Sequence, residues 1–396
     1  MTDFRSVETL DVFRNDEPVA TLTRQSKGCS FRYSDSFLAS GERPIALHLP
    51  KSPGGMLVEG MANLPTYFAG LLPEGIMFNA VKTMIGSATD DLFAILAATG
   101  SDAIGDITVR IPGETEHRPT INLAEASDII ESLIQKNQTL ARTRFTAISG
   151  VQPKMSLGEI MRASRNHMFI AKFESPDFPD LIRNEHATMR LAKRCNIQTA
   201  DIRMEPNALI VRRFDRIFNP DKKRMEKVHV EDMLQVMDLF PSSKYTMEYA
   251  DIMTAMANLG VSKAALLDVL HLFVFSYIVG NGDLHAKNVS LVFDPTDGLW
   301  RMSPAYDLVS TLPFRGVLPG AERMALALSY ESFGRFTVNE FIEFGDRFVL
   351  SERAVVGMID RTTRGVLKHA EKLMGRVVAP DILAIILDRA ESLSIN

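Results

Sequence analysis

The sequence predicts an α+β chain in three parts. These are an N-terminal α/β module over residues 1–115, a small β-rich lobe with one helix over 116–229, and a large, mostly helical C-terminal lobe over 230–396. Three observations predict it. The first fifty residues hold short runs separated by turn residues. Strand-like runs return on either side of an amphipathic helix in the middle of the chain. Beyond about residue 230 nearly every segment has helical patterning.

In order, 7–13, 18–23, 30–33 and 44–49 read as strands, with Asn15-Asp16 as a turn. Residues 66–72, ahead of Pro73-Glu74-Gly75, and 90–98 read as short helices. Pro112-Gly113-Glu114 and Pro119 mark 112–120 as a linker, and 122–137 opens a helical or mixed segment. Residues 167–174 alternate in part, 208–211 form a short buried strand, and 184–193 between them is an amphipathic helix. Within the helical lobe, 289–293, 300–303 and 323–328 are the expected strands. The chain has no internal repeat and no low-complexity tract.

Composition bounds the function. Of 396 residues 46% are apolar, enough for two or three packed lobes. With 44 basic and 49 acidic side chains the net charge is -5, so direct nucleic-acid binding gains no support. Cys29 and Cys195 have no metal-ligand spacing and read as reduced, buried thiols of a cytoplasmic protein without structural zinc. The N-terminus lacks the apolar core of a signal peptide. The longest apolar run, 272–280, is too short to span a bilayer and reads as a buried helix, so no membrane partner is expected.

Chemistry concentrates at Gly280-Asn281-Gly282-Asp283-Leu284-His285-Ala286-Lys287-Asn288. Phosphoryl transfer needs an acid to orient the attacking hydroxyl, oxygen ligands for magnesium, a lysine on the phosphates and a loop to cover them. Asp283 and Asn288 have the Asp-x4-Asn spacing of a protein-kinase catalytic loop, which points the aspartate at the nucleophile and the asparagine at the metal. Lys287 between them is placed to touch the transferring phosphate, and His285 to order the loop. Such a spacing is common by chance, but a strand hairpin follows it and then Asp307, where a kinase keeps its second metal-binding aspartate. An Asp-Phe-Gly motif is absent.

Upstream, Lys172 ends an apolar strand and needs an anionic partner, which Glu185 on the next helix could provide. Ser149-Gly150-Val151-Gln152-Pro153-Lys154 is the candidate phosphate loop. Its single glycine makes it neither a Walker loop nor a G-x-G-x-x-G loop, and an ordinary hairpin turn explains its composition as well. Arg213-Phe214 fits a hinge between lobes whose backbone bonds adenine. The basic stretch 212–227 reads as a solvated hairpin tip, or else as a dock for an acidic partner.

Taken in order, these motifs resemble the HipA-type serine/threonine kinase toxins of bacterial toxin–antitoxin systems. The resemblance also rests on Leu71-Leu72-Pro73-Glu74-Gly75, Asn184-Glu185-His186, Arg213-Phe214-Asp215-Arg216, Glu231-Asp232-Met233 and Tyr306-Asp307-Leu308. It implies a two-lobed protein-kinase-like fold that uses ATP and magnesium, with Asp283 as catalytic base, Asn288 and Asp307 as magnesium ligands and Lys172 as the ATP-phosphate lysine. It further implies phosphorylation of an aminoacyl-tRNA synthetase, inhibition of translation and growth arrest or persistence. A HipB-type helix-turn-helix antitoxin would neutralise the chain and bring it to operator DNA. The family autophosphorylates a serine before the loop glycine. Ala147 stands where many members carry that serine, so Ser149 is the expected site here, with Thr146 a weaker candidate. Two other readings are a small-molecule phosphotransferase and an inactive HipA-like co-repressor that acts by binding the antitoxin.

Overall fold

The computed structural model describes residues 3–59, 64–87, 90–114, 154–157, 168–174, 178–220, 223–318, 320–328 and 334–395. It divides into two compact units. One comprises Met1–Pro176, Glu205–Glu231 and Asp238–Pro241, the other Asp177–Met204, Asp232–Met237 and Ser242–Asn396.

The first unit begins with β1 (Thr9–Arg14), β2 (Glu17–Gln25), β3 (Gly28–Tyr33), α1 (Asp35–Ala39) and β4 (Met56–Glu59). It continues with α2 (Thr66–Gly70), α3 (Gly75–Met84), α4 (Leu92–Thr99), β5 (Ile107–Arg110), β6 (Lys154–Leu157) and β7 (Phe169–Phe173). Strand β8 (Ile202–Glu205) brings the chain back from the second unit, and β9 (Ala208–Arg212), β10 (Arg216–Asn219) and β11 (Arg224–Lys227) follow.

Strands β1 to β5 form an antiparallel sheet of order β4-β3-β2-β1-β5. Alternation places Leu10 and Val12 in the core. Asn15 and Asp16 make the first hairpin turn with φ of 46° and 73°, a conformation their short polar side chains tolerate. The expected strand at 44–49 is instead a run of turns. Side chains take its backbone partners: Arg14 donates to the carbonyls of Arg43 and Pro44, and the Tyr33 hydroxyl bonds both Ile45 N–H and Leu49 carbonyl. Strand β4 has no counterpart in the sequence reading.

A second antiparallel sheet contains β6, β7 and β9, with Lys172 opposite Lys154 on one side and Leu209 on the other. Ala171, Phe173, Ala208 and Ile210 from this sheet belong to the same buried cluster as Leu10, Leu22, Phe31 and Phe93. Segments read as separate modules therefore share one core.

Buried charge joins them as well. Arg213 donates to Asp102 at 3.1 Å and to Asp215 at 2.8 Å, while Arg216 reaches the same carboxylates at 3.1 and 2.7 Å. The carbonyls of Ala103 and Gly105 and the N–H of Gly105 complete the set. Burial opposes ionisation of Asp215, yet Arg213 and Arg216 hold it down at about 2. This corrects the reading of 212–227 as a solvated tip. Arg213 and Arg216 are buried because two carboxylates neutralise them, and Lys227 bonds Thr108; Arg212, Lys223 and Arg224 face solvent.

A second buried group centres on His229, whose Nδ1 lies 2.9 Å from Asp106 and whose Nε2 lies 2.8 Å from Glu231. Arg14 and Arg43 share Asp106, and Glu231 accepts from Leu47 N–H at 3.0 Å. Burial pulls the imidazole down, but the two carboxylates outweigh it and its pKa is raised. A raised folded value means this stabilisation is fully present below the unfolded value of about 6.5 and is lost as pH rises through the folded one. The urea midpoint is thus expected to fall as pH rises from about 6.5 through the folded value, and His229→Gln should flatten that decline. An equally steep decline in the variant would contradict it.

The second unit holds α5 (Leu181–Arg194) and, after β12 (Val230–Asp232), α6 (Met233–Val236), α7 (Tyr249–Asn258) and α8 (Lys263–Val279). The hairpin β13 (Ser290–Asp294) and β14 (Leu299–Met302) precedes α9 (Val338–Asp346), α10 (Glu352–Met374) and α11 (Pro380–Ser392). Helix α8 contains the long apolar run and is buried nearly throughout, as a helix apolar on all faces must be. Ser262 caps its start through Ala265 N–H, and Gly280 at φ 68° ends it. The strand expected at 323–328 is absent: the segment turns, with one bridge from Ala327 to Glu248. Neighbouring carbonyls go to side chains, Ala321 to Thr311 and Glu322 to Arg389. Both cysteines are buried free thiols, each pushed up to about 12 by burial. Among the described residues no helix is long and apolar enough to cross a membrane.

Candidate active site

The loop after α8 is held by its own backbone and by buried side chains. Asn281 Oδ1 accepts from Asp283 N–H at 3.0 Å. Gly282 N–H donates to Thr311 Oγ1 at 2.9 Å, and Thr311 returns its own N–H to the Gly280 carbonyl. A Cβ on Gly282 would stand 2.8 Å from that hydroxyl and 2.9 Å from the Arg323 carbonyl, so this close approach requires glycine. The Asp283 carbonyl accepts from His285 N–H and from Asn288 Nδ2, both at 2.8 Å. Tyr249 and Tyr306 donate to the carbonyls of Leu284 and Lys287 at 3.1 and 2.7 Å. The loop is thus tied down on both sides of Asp283.

Its side chains differ in exposure. Asp283 is 44% exposed, and its Oδ1 accepts from the Tyr245 hydroxyl at 2.5 Å, with His285 Nε2 3.9 Å away. Lys287 is buried, and its Nζ lies 3.8 Å from Asp232 Oδ2. Asp232 also caps α6 in a reciprocal pair with Gln235. Asn288 is buried with its amide nitrogen on the Asp283 carbonyl, which leaves the oxygen as its remaining polar end.

Asp307 follows Tyr306 and has φ 54°, a left-handed conformation that aspartate tolerates better than most residues. The chain just beyond it is clamped to α5: Asn184 donates from Nδ2 to Ser310 O and accepts from Ser310 N–H, both at 2.9 Å. Glu185, the next residue on α5, is buried.

The second unit therefore brings Asp283, His285, Lys287 and Asn288 together on one loop, with Asp307 tied to it through Tyr306. Lys172, Lys154, Arg213 and Phe214 belong to the first unit. Lys172 is buried on β7, and Lys154 begins β6 opposite it. Arg213 N–H is already bonded to the Met168 carbonyl at 2.9 Å, and its side chain serves the ion cluster. Phe214 is half-buried. Ser149, Gly150, Val151 and Gln152 lie outside the described residues.

Five features that shape this loop have no counterpart in the expectations from sequence: Tyr245, Tyr249, Asn281, Thr311 and the partner role of Asp232. The Asp232-x-x-Gln235 capping pattern was a legible signal for the last. Nothing local marks Tyr245, which lies far from Asp283 in the chain. Among the described residues no three His, Cys, Asp or Glu converge as a metal cluster. An amide oxygen and one carboxylate suit magnesium, which completes its shell with phosphate oxygens and water.

The chain matches two family models, the HipA N-terminal domain over residues 10–110 and the HipA-like C-terminal domain over 146–370. Y4dM of Sinorhizobium fredii is 27% identical over 381 residues, covering 88% of each chain. The serine/threonine-protein kinase toxin HipA of Shewanella oneidensis is 28% identical over 335 residues, covering 76% of this chain and 75% of its own. The solved Shewanella oneidensis HipA, in a complex with HipB and operator DNA, matches with a TM-score of 0.76 at 22% identity over 97% of both chains. That likeness makes the fold an α+β, protein-kinase-like one.

Proposed function

From the chain's membership of the HipA family of kinases, we propose that it is a toxin serine/threonine protein kinase that transfers the γ-phosphate of ATP to a protein, inhibiting translation. The observation that carries this reading is the half-exposed Asp283 carboxylate on a loop whose backbone is locked from both sides. A carboxylate so placed orients an acceptor hydroxyl and takes its proton. Asn288 and Asp307 would hold magnesium, which when bound neutralises charge on the phosphates. Lys172 would pair with the ATP phosphates, and Ser149, Gly150, Val151, Gln152 and Lys154 would cover them, with Glu185 orienting the lysine. The backbone beside Arg213 and Phe214 would meet adenine. Because Lys287 is paired with Asp232, its part in catalysis is to carry positive charge at a fixed place beside Asp283, and His285 orders the loop.

The acceptor we propose is an aminoacyl-tRNA synthetase, with growth arrest or persistence as the outcome. Lack of a spanning helix among the described residues fits work in the cytoplasm. A HipB-type antitoxin would neutralise the chain and carry it to operator DNA. Autophosphorylation at Ser149 would add nearly two negative charges beside the ATP phosphates and expel the loop. The test is phosphoproteomics in the native host after inducing the chain and its Asp283→Asn variant. A synthetase phosphopeptide and a modified Ser149 are expected with the first and absent with the second. Identical phosphoproteomes, with arrest in both, would mean that the chain acts by something other than kinase chemistry.

A further inference from the structure

Three bonds fix the backbone of Asp283: Asn281 on its N–H, and His285 N–H and Asn288 on its carbonyl. Among the described residues a single hydrogen bond reaches its carboxylate, the 2.5 Å bond from Tyr245 Oη to Oδ1. Tyr245 precedes α7 on a segment turned by the Thr246 N–H to Ser243 carbonyl bond. Its ring meets the His285 ring edge-on at 5.0 Å, and the Lys244 ammonium lies 5.5 Å from its centroid. The ring is thus braced although the residue is 48% exposed.

We propose that Tyr245 is a positioning residue for phosphate transfer, holding Oδ1 so that Oδ2 of Asp283 faces the acceptor. The proposal rests on the reading of Asp283 as the base. In the step it serves, the acceptor oxygen bonds to the γ-phosphorus, the bond to the ADP oxygen breaks, and the acceptor proton passes to Oδ2. The phenol keeps its own proton on Oδ1 throughout. A carboxylate held from one oxygen needs no reorientation when the hydroxyl arrives, so the bond acts on the rate of the step rather than on binding.

The test compares the full chain with Tyr245→Phe, Asp283→Asn and the double variant, using magnesium, ATP and dephosphorylated casein as acceptor. Phenylalanine keeps the ring against His285 and removes only the hydroxyl, so melting should not move. The expected result is a kcat about tenfold lower, the weight of one hydrogen bond to a charged group, with KM for ATP and casein within about twofold. In the Asp283→Asn background the Tyr245→Phe change should add almost nothing. An unchanged kcat would overturn the inference while leaving the base intact. So would a lower KM for casein with a higher kcat, because the phenol would then be competing with the acceptor. Full transfer by Asp283→Asn would instead remove the reading of Asp283 itself.

Discussion

Asp283→Asn is expected to lower phosphate transfer by about 10²–10⁴-fold, the usual weight of a positioned general base, with the fold intact. The loop bonds described above run through the backbone of Asp283 and not through its carboxylate. Asparagine has the same shape, and its Oδ1 can still accept from Tyr245. What it cannot do is take a proton. Thermal melting and antitoxin binding should therefore match the unaltered chain while labelled phosphate no longer moves to protein. Unimpaired transfer by this variant would mean that the loop at 280–288 is not the catalytic one.

The second large effect concerns stability. Asp102→Ala should cost about 3–5 kcal/mol, because it removes from the buried Arg213 and Arg216 one of the two carboxylates that they share, Asp215 being the other. The arginines cannot shed their charge, and neither is exposed enough to recover water. The measurement is the denaturant midpoint of the whole chain. If the protein does not accumulate, Asp102→Asn offers a milder version that keeps one acceptor oxygen. Asp102→Asn combined with Arg216→Gln should cost less than the two single changes added together, since both break the same contacts. A midpoint unmoved by Asp102→Ala would mean that the cluster contributes nothing.

This cluster also shows where sequence reading stops. The run 212–227 carries many cations around an Asn-Pro-Asp turn, and from composition such a run belongs in water. Its partner Asp102 is more than a hundred residues upstream, so no local pattern reveals that two of the arginines are neutralised in the interior. The same holds for 44–49 and 323–328. Both have the composition of strands, but Arg14 and Tyr33 side chains bond the backbone of 44–49, and the Ala327 carbonyl accepts from Tyr249 N–H, partners that only the folded chain brings near. At the site, spacing alone placed Asp283 and Asn288 on one loop, while Tyr245 was invisible.

What the sequence determined by itself was local. It set the hairpins of the first sheet, the buried helix α8 with its glycine stop, and a loop with Asp283 and Asn288 five residues apart. Each of these depends on periodicity or on backbone freedom within a few residues. The tertiary structure alone decided which charges are buried together and which side chain holds the Asp283 carboxylate. It likewise decided that the N-terminal module and the strands carrying Lys172 share one core. Those outcomes depend on contacts between residues distant in the chain, where the cost of an unpaired buried charge, rather than local propensity, selects the arrangement.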